Sequence, residues 1–100
     1  IQLVERALVA EPGNPSYLDS LGWAYFRRGD LSEAERYLSP AAEQLPGNSV
    51  VQDHLGDVLA GQGRWQDAIE AWTRALAGNG GIDRAVVEQK LRDARNRVPR

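Results

Sequence analysis

The sequence predicts an all-α solenoid of antiparallel helix pairs, closed by a single helix at its C-terminal end. Three observations carry that prediction. The chain of 100 residues repeats itself at an offset of 34. Within each copy the apolar residues recur at helical spacing. Asparagine, aspartate and glycine stand where helix ends belong. Self-similarity at a period of this size marks a repeat architecture, in which each unit buries its apolar face against its neighbours.

Laying residues 15–48 over 49–82 matches Asp19 with Asp53, Leu21 with Leu55, Gly22 with Gly56, Gly29 with Gly63, Ala34 with Ala68, Ala41 with Ala75 and Gly47 with Gly81. Most of these are small or apolar, the types that packing restricts. Shifted back, residues 1–14 fit the end of the unit, since Ala7, Pro12, Gly13 and Asn14 meet Ala41, Pro46, Gly47 and Asn48. The expected division is the second helix of a truncated unit over 1–14, full units over 15–48 and 49–82, and a capping helix over 83–100.

The first helix carries Leu18, Leu21, Gly22 and Tyr25 at i, i+3, i+4 and i+7, one stripe. Asn14 is its N-cap, with Pro15 at the first helical position. Gly29 ends it. Asp30 opens the next helix, and Glu33 completes a capping box. That second helix has its stripe in Leu31, Ala34, Leu38, Ala41 and Leu45. Pro40 sits in its middle and cannot donate to the Arg36 carbonyl, which predicts a kink or local widening there. Asn48 starts the third helix and Gly63 separates it from the fourth. The fourth helix's stripe puts Trp65, Ala68, Trp72 and Ala75 in the core. Gly78-Asn79-Gly80-Gly81 reads as a loop. The last helix runs from about residue 83 to 97, with Val87, Leu91, Ala94 and Val98 as its stripe. Gln89 and Lys90 stand where the repeat would place Leu-Gly, as expected of a cap that turns to water. A glycine inside a helix costs ~1 kcal/mol against alanine. Its recurrence at Gly22 and Gly56 points to close helix–helix approach.

The first unit reads Leu18-x₂-Leu21-Gly22-x₂-Tyr25, then Ala34-x₃-Leu38, then Pro46. The second reads Gln52-x₂-Leu55-Gly56-x₂-Leu59, then Ala68-x₃-Trp72, with Gly80 in the proline position. This resembles the tetratricopeptide repeat, W-x₂-L-G-x₂-Y…A-x₃-F…P, with Leu18 and Gln52 replacing the opening tryptophan. The resemblance covers the whole chain and looks like the C-terminal part of a larger bacterial repeat protein. It implies a right-handed superhelix and a protein–protein interaction role, as adaptor or assembly scaffold.

In that family the concave face is lined mainly by the first helix of each pair. Off the core stripe, that helix presents Asp19, Trp23, Phe26 and Arg27, and the next one presents Asp53, Asp57, Ala60 and Gly61. The expected partner-binding residues are therefore Asp19, Trp23, Phe26, Arg27, Asp53 and Asp57. They describe an acidic groove with an aromatic end, suited to a basic or apolar extended segment of a protein or peptide. Packing of Trp23 and Phe26 against a neighbouring helix pair is the alternative. The family's dicarboxylate clamp would require lysine where Asp19 and Asp53 stand.

Composition narrows the function further. Residues 1–83 hold 6 basic and 12 acidic residues, net −6, and residues 84–100 hold 6 basic and 2 acidic, net +4. An acidic body argues against a nucleic-acid footprint. The basic residues Lys90, Arg92, Arg95, Arg97 and Arg100 read as a solvated face of the cap, with nucleic-acid binding there the weaker reading. The absence of cysteine excludes disulfides, thiolate metal sites and cysteine nucleophiles. His54, the single histidine, has no H-x-x-x-H spacing and no local carboxylate cluster of metal-site form, so it reads as neither ligand nor base. No nucleophile elbow, phosphate loop or dinucleotide fingerprint occurs, and the glycine run follows a helix rather than a strand. The expectation is a non-enzyme without cofactor or metal. No run approaches the ~18 apolar residues of a membrane span. A chain opening at Ile1 without methionine reads as a piece of something longer. Self-association through Ile1, Val4 and Leu8 of the half-unit then becomes possible, as does a structural role capping a protein whose activity lies upstream. The compartment, bacterial cytoplasm or cell envelope, is left open.

Overall fold

A computed structural model of the chain describes residues 13–98. Within them the backbone forms five α-helices: α1 (Pro15–Arg27), α2 (Leu31–Gln44), α3 (Ser49–Gly61), α4 (Trp65–Ala77) and α5 (Arg84–Arg95). Helix α1 packs on α2 and α3 on α4, while α2 against α3 and α4 against α5 join the pairs, and α1 also reaches α3. This is the all-α helix-pair solenoid that the repeat predicts. Ile1, Val4 and Leu8 of the truncated unit, and Arg100, lie outside the described residues.

The punctuation falls where the sequence puts it. Asn14 Oδ1 accepts from the backbone N–H of Ser16 and Tyr17 at 2.9 and 3.3 Å. Asn48 Oδ1 accepts from Val51 N–H at 3.1 Å. Each satisfies a donor that the helix start leaves over. Gly29 (φ +84°) and Gly63 (φ +76°) make the turns inside each pair in the left-handed region that favours glycine.

One local expectation fails, and one finds no wider turn. Asp30 makes no side-chain cap bond, so the capping box does not form. Flanking guanidiniums take the carboxylates instead: Arg28 lies 3.5 Å from Asp30, and Arg36 lies 3.6 Å from Glu33. Helix α2 also runs through Pro40 as unbroken α-helix, without a wider turn.

The core is a continuous seam rather than one centre. Leu21, Ala34, Leu38 and Ala41 fill the first pair, Val58, Ala68, Ala71 and Trp72 the second, and Val87, Leu91 and Ala94 seat α5. Gly22 and Gly56 are explained directly. A Cβ on Gly22 would lie 2.5 Å from Leu38 Cγ, and one on Gly56 would fall into the Trp72 indole, 2.9 Å from Cε2. Trp65, expected in the core, is only half-buried, because it opens α4 at the molecule's edge, where the Arg97 guanidinium sits 4.8 Å from its ring centroid.

The glycine run is a seam between the two inter-pair loops. Ser49 N–H donates to Asn79 O at 2.9 Å, and Asn79 N–H donates to Gly47 O at 2.8 Å. Ser49 Oγ reaches Ala75 O at 2.6 Å. A Cβ on Gly78 would stand 2.5 Å from the Gly47 carbonyl oxygen, so glycine is required for this approach. The loop before α5 spans 78–83, six residues, against four (45–48) before α3. The 34-residue register therefore fails at the cap. Val87, Leu91 and Ala94 are buried as expected, yet a shift of 34 would align them with Asp53, Asp57 and Ala60. Among the described residues no helix is long and apolar enough to cross a membrane.

Candidate functional site

The contact of α1 with α3 brings the off-stripe faces of the first helices together into one surface. On it, Phe26 stacks on Trp23 (4.8 Å between centroids, 15° between planes), and Trp23 stacks on His54 of the next pair (3.9 Å, 15°). His54 Nδ1 lies 2.8 Å from Asp19 Oδ1. Four side chains from two repeats thus form one unit. The alternative reading, packing of Trp23 against a neighbouring helix pair, holds, because its ring stacks on His54 of the next repeat. Trp23 and Phe26 are half-buried and Arg27 is exposed.

The acidic end differs from expectation. Lys90 Nζ donates to Asp53 Oδ1 at 2.8 Å and to Asp57 Oδ1 at 2.7 Å, and Asp57 Oδ1 also accepts from Trp72 Nε1 at 3.2 Å. The Lys90 ammonium lies 5.4 Å from the Trp72 ring centroid. So Lys90 is not one of the cap's water-facing residues; it turns in against α3, where Asp53 and Asp57 take its ammonium. Gln89 does face water, bonded to Asp93 and Arg92 on its own helix. Burial pushes the Asp57 carboxyl up, and the Lys90 hydrogen bond offsets this only in part. Burial pulls Lys90 down, but its bonds to Asp53 and Asp57 outweigh that and raise it above the ordinary lysine value.

His54 takes its carboxylate partner not from Asp53 or Asp57 beside it in the sequence but from Asp19 of the preceding repeat. Asp19 to His54 spans 35 positions and Asp53 to Lys90 spans 37. The aspartates are equivalent across the repeat, while α5 starts 35 residues after α3, one more than the repeat, because its loop is two residues longer and α4 one residue shorter than α2. The signal that could have found both partners was a search one residue beyond the repeat length, corrected for loop length.

Gln52, in the position of the family's tryptophan, is another residue the sequence reading passed over. It is 1% exposed. Its Nε2 donates to the Ala42 and Leu45 carbonyls at 3.2 and 3.4 Å, and its Oε1 accepts from Arg74 Nε at 2.9 Å. A shallow cleft of about 280 Å³ lies over it, lined also by Ser39, Glu43 and Pro46. A second polar strut joins the pairs elsewhere: Glu35 accepts from Arg64 at 2.7 Å and from Gln62 at 3.0 Å. The Arg64 bond holds the Glu35 carboxyl below its usual range. No group of three or more histidine, aspartate or glutamate side chains among the described residues is placed to hold a metal.

The geometry is that of antiparallel helix pairs stacked side by side, and comparison with known proteins agrees. The tetratricopeptide repeat family model matches residues 1–49 and 54–95. The chain belongs to the tetratricopeptide repeat family. TPR repeat-containing protein PA4667 of Pseudomonas aeruginosa is 43% identical over 56 residues, 56% of this chain and 9% of that protein. TPR repeat-containing protein MJ1428 of Methanocaldococcus jannaschii is 25% identical over 75 residues, 75% of this chain and 13% of that protein. The chain thus spans about a tenth of the length of these relatives. As a tetratricopeptide repeat segment it is a general protein-interaction module. Its inner carboxylates, which stand where the dicarboxylate clamp would need lysine, hold cationic or donor groups of the chain itself.

Proposed function

We propose that this repeat segment is a non-catalytic adaptor or assembly scaffold whose inner groove holds an extended segment of a protein partner. The observation that carries the reading is the Phe26–Trp23–His54 stack, an aromatic patch shared by two repeats and left half-open on the groove side. Asp19, Trp23, Phe26 and Arg27 form one wall, and Asp53 and Asp57 the other. Aromatic anchors of this kind dominate binding energy in interfaces. With Asp19, Asp53 and Asp57 each engaged inside the chain, the apolar member of the expected partner pair, basic or apolar, fits better than the basic one.

A photo-crosslinking amino acid at Arg27, in the groove, and another at Glu70, exposed on α4, test this in cells of the source organism. The partner is expected to crosslink from position 27 and not from position 70. Capture from position 70 alone would overturn the groove reading. A role for α5 in closing the stack is supported by its polar outer surface, where Glu88, Gln89, Arg92, Asp93 and Arg95 are exposed.

A further inference from the structure

The four asparagines of the chain differ in what their side chains do. Asn14 and Asn48 cap α1 and α3 with theirs. Asn96 ends α5 and is followed by Arg97. Asn79, in the loop before α5, is exposed, and its carboxamide makes no hydrogen bond among the described residues. It is also the one asparagine followed by glycine. Its own backbone is held on both sides, with the N–H donating to Gly47 O and the carbonyl accepting from Ser49 N–H. The nitrogen of the next residue is not held. The Gly80 N–H makes no hydrogen bond among the described residues, and Gly80 sits at φ +134°, where side chains are disfavoured. A Cβ on Gly81 would meet nothing within 4 Å. An anchored asparagine with a free carboxamide is thus joined to an unbonded nitrogen that no side chain of its own residue screens.

We propose that Asn79 is a self-modification site, at which the Gly80 nitrogen closes a succinimide and water opens it to aspartate and isoaspartate. In the first step the bond from Gly80 N to Asn79 Cγ forms and the bond from Cγ to Nδ2 breaks. The amide proton leaves with Nδ2 as ammonia. In the second step solvent water adds to one imide carbonyl, and that carbonyl's bond to Gly80 N breaks. Neither step needs an oxidant, a metal or a cofactor. When water adds at the backbone carbonyl, Asn79 O becomes part of a free carboxylate. That oxygen is the one that accepts from Ser49 N–H at 2.9 Å, at the N-terminus of α3, where negative charge is favoured. The residue therefore stays anchored while the chain leaves through Cβ and Cγ, one backbone atom longer. The added length falls in the loop 78–83, which leads directly into α5. The isoaspartyl form is expected to hold its cap more loosely and to weaken the bonds of Lys90 to Asp53 and Asp57.

The test holds the 100-residue chain in mildly alkaline buffer, beside Asn79→Gln and the parent in urea. Peptide mass spectrometry and labelling by a protein isoaspartyl methyltransferase read the conversion. The Asn79 peptide is expected to turn from amide to acid and to take up label, well ahead of the Asn96 peptide. Asn79→Gln, which would have to close a larger ring, should lose the label at this site. Anion exchange then separates the converted fraction by its extra negative charge. Amides of α5 should exchange faster in that fraction than in the parent, with those of α1 and α2 unchanged. If Asn79 converts in urea but not in the folded chain, the fold shields the site and the assignment fails. If Asn96 converts as fast as Asn79, the free Gly80 nitrogen is not the cause, and the assignment fails as well. If the converted fraction protects α5 as the parent does, the added backbone atom does not reach the cap, and the loosening is overturned.

Discussion

At the scale of single residues, the positions most constrained by packing are Gly56 and Gln52. Alanine at Gly56 would gain ~1 kcal/mol of helix propensity. The new methyl would occupy the space of the Trp72 ring, which is 3% exposed and has nowhere to retreat. Overpacking of that kind costs roughly 1–3 kcal/mol. Gly56→Ala should therefore lower stability in urea unfolding, whereas Gly47→Ala, with nothing within 4 Å, should not. Gln52→Leu tests a different cost. It fits the apolar expectation for the family's tryptophan position, but it removes the donor to the Ala42 and Leu45 carbonyls and the acceptor for Arg74. Buried groups left without partners cost about 1–3 kcal/mol. A Gln52→Leu variant as stable as the parent would show that water serves those carbonyls instead. The two positions differed in legibility. The glycine was readable because its cause, a neighbour at a fixed position one helix away, recurs with the repeat. The glutamine was not, because its partners are backbone carbonyls that any sequence supplies.

At the scale of elements, α5 shows what a repeat shift can and cannot reveal. Its buried stripe was legible from helical spacing alone. Its rotation was not, since α5 starts one residue later than the repeat would place it. Lys90 then joins the cap to α3 through Asp53 and Asp57. The pH dependence follows from the raised Lys90 value. The stabilisation is fully present below the ordinary lysine pKa of 10.5 and is lost as pH rises through the higher folded value. Lys90→Gln should cost about 1 kcal/mol at neutral pH, a modest figure because the three side chains are still partly solvated. The gap between parent and variant in thermal unfolding should close above that range. Asp57 has the opposite sense. Its raised value means the ionised form is disfavoured in the fold, a cost that is relieved as pH falls through it. Asp57→Asn should for that reason cost less than Lys90→Gln, and the reverse order would show that the ion pair outweighs the burial of Asp57.

At the scale of the whole molecule, an elongated body of 45 × 26 × 19 Å has no single core to enforce cooperativity. Stability in such a stack is a sum of units and of the interfaces between them. The interface between the two pairs is held by buried apolar contact and by polar links that include Gln52 to the end of α2, Glu35 to Arg64 and Gln62, and Asp19 with Trp23 to His54. The last is on the face proposed as the groove, so the proposed aromatic wall and the coupling of the repeats depend on the same side chains. His54→Ala removes both the ring stack and the Asp19 partner, which together are worth roughly 1–2 kcal/mol. If that energy belongs to the interface, the loss should appear as reduced coupling as well as reduced stability. The expected outcome is a shallower urea transition, with amides of α1 and α2 exchanging faster than those of α3 and α4. The double-mutant cycle with Asp19→Asn should then show the two substitutions falling short of additivity. Uniform loss of protection across all five helices would instead place His54 in a fully cooperative fold, in which the repeats cannot move against one another and the groove is a fixed surface.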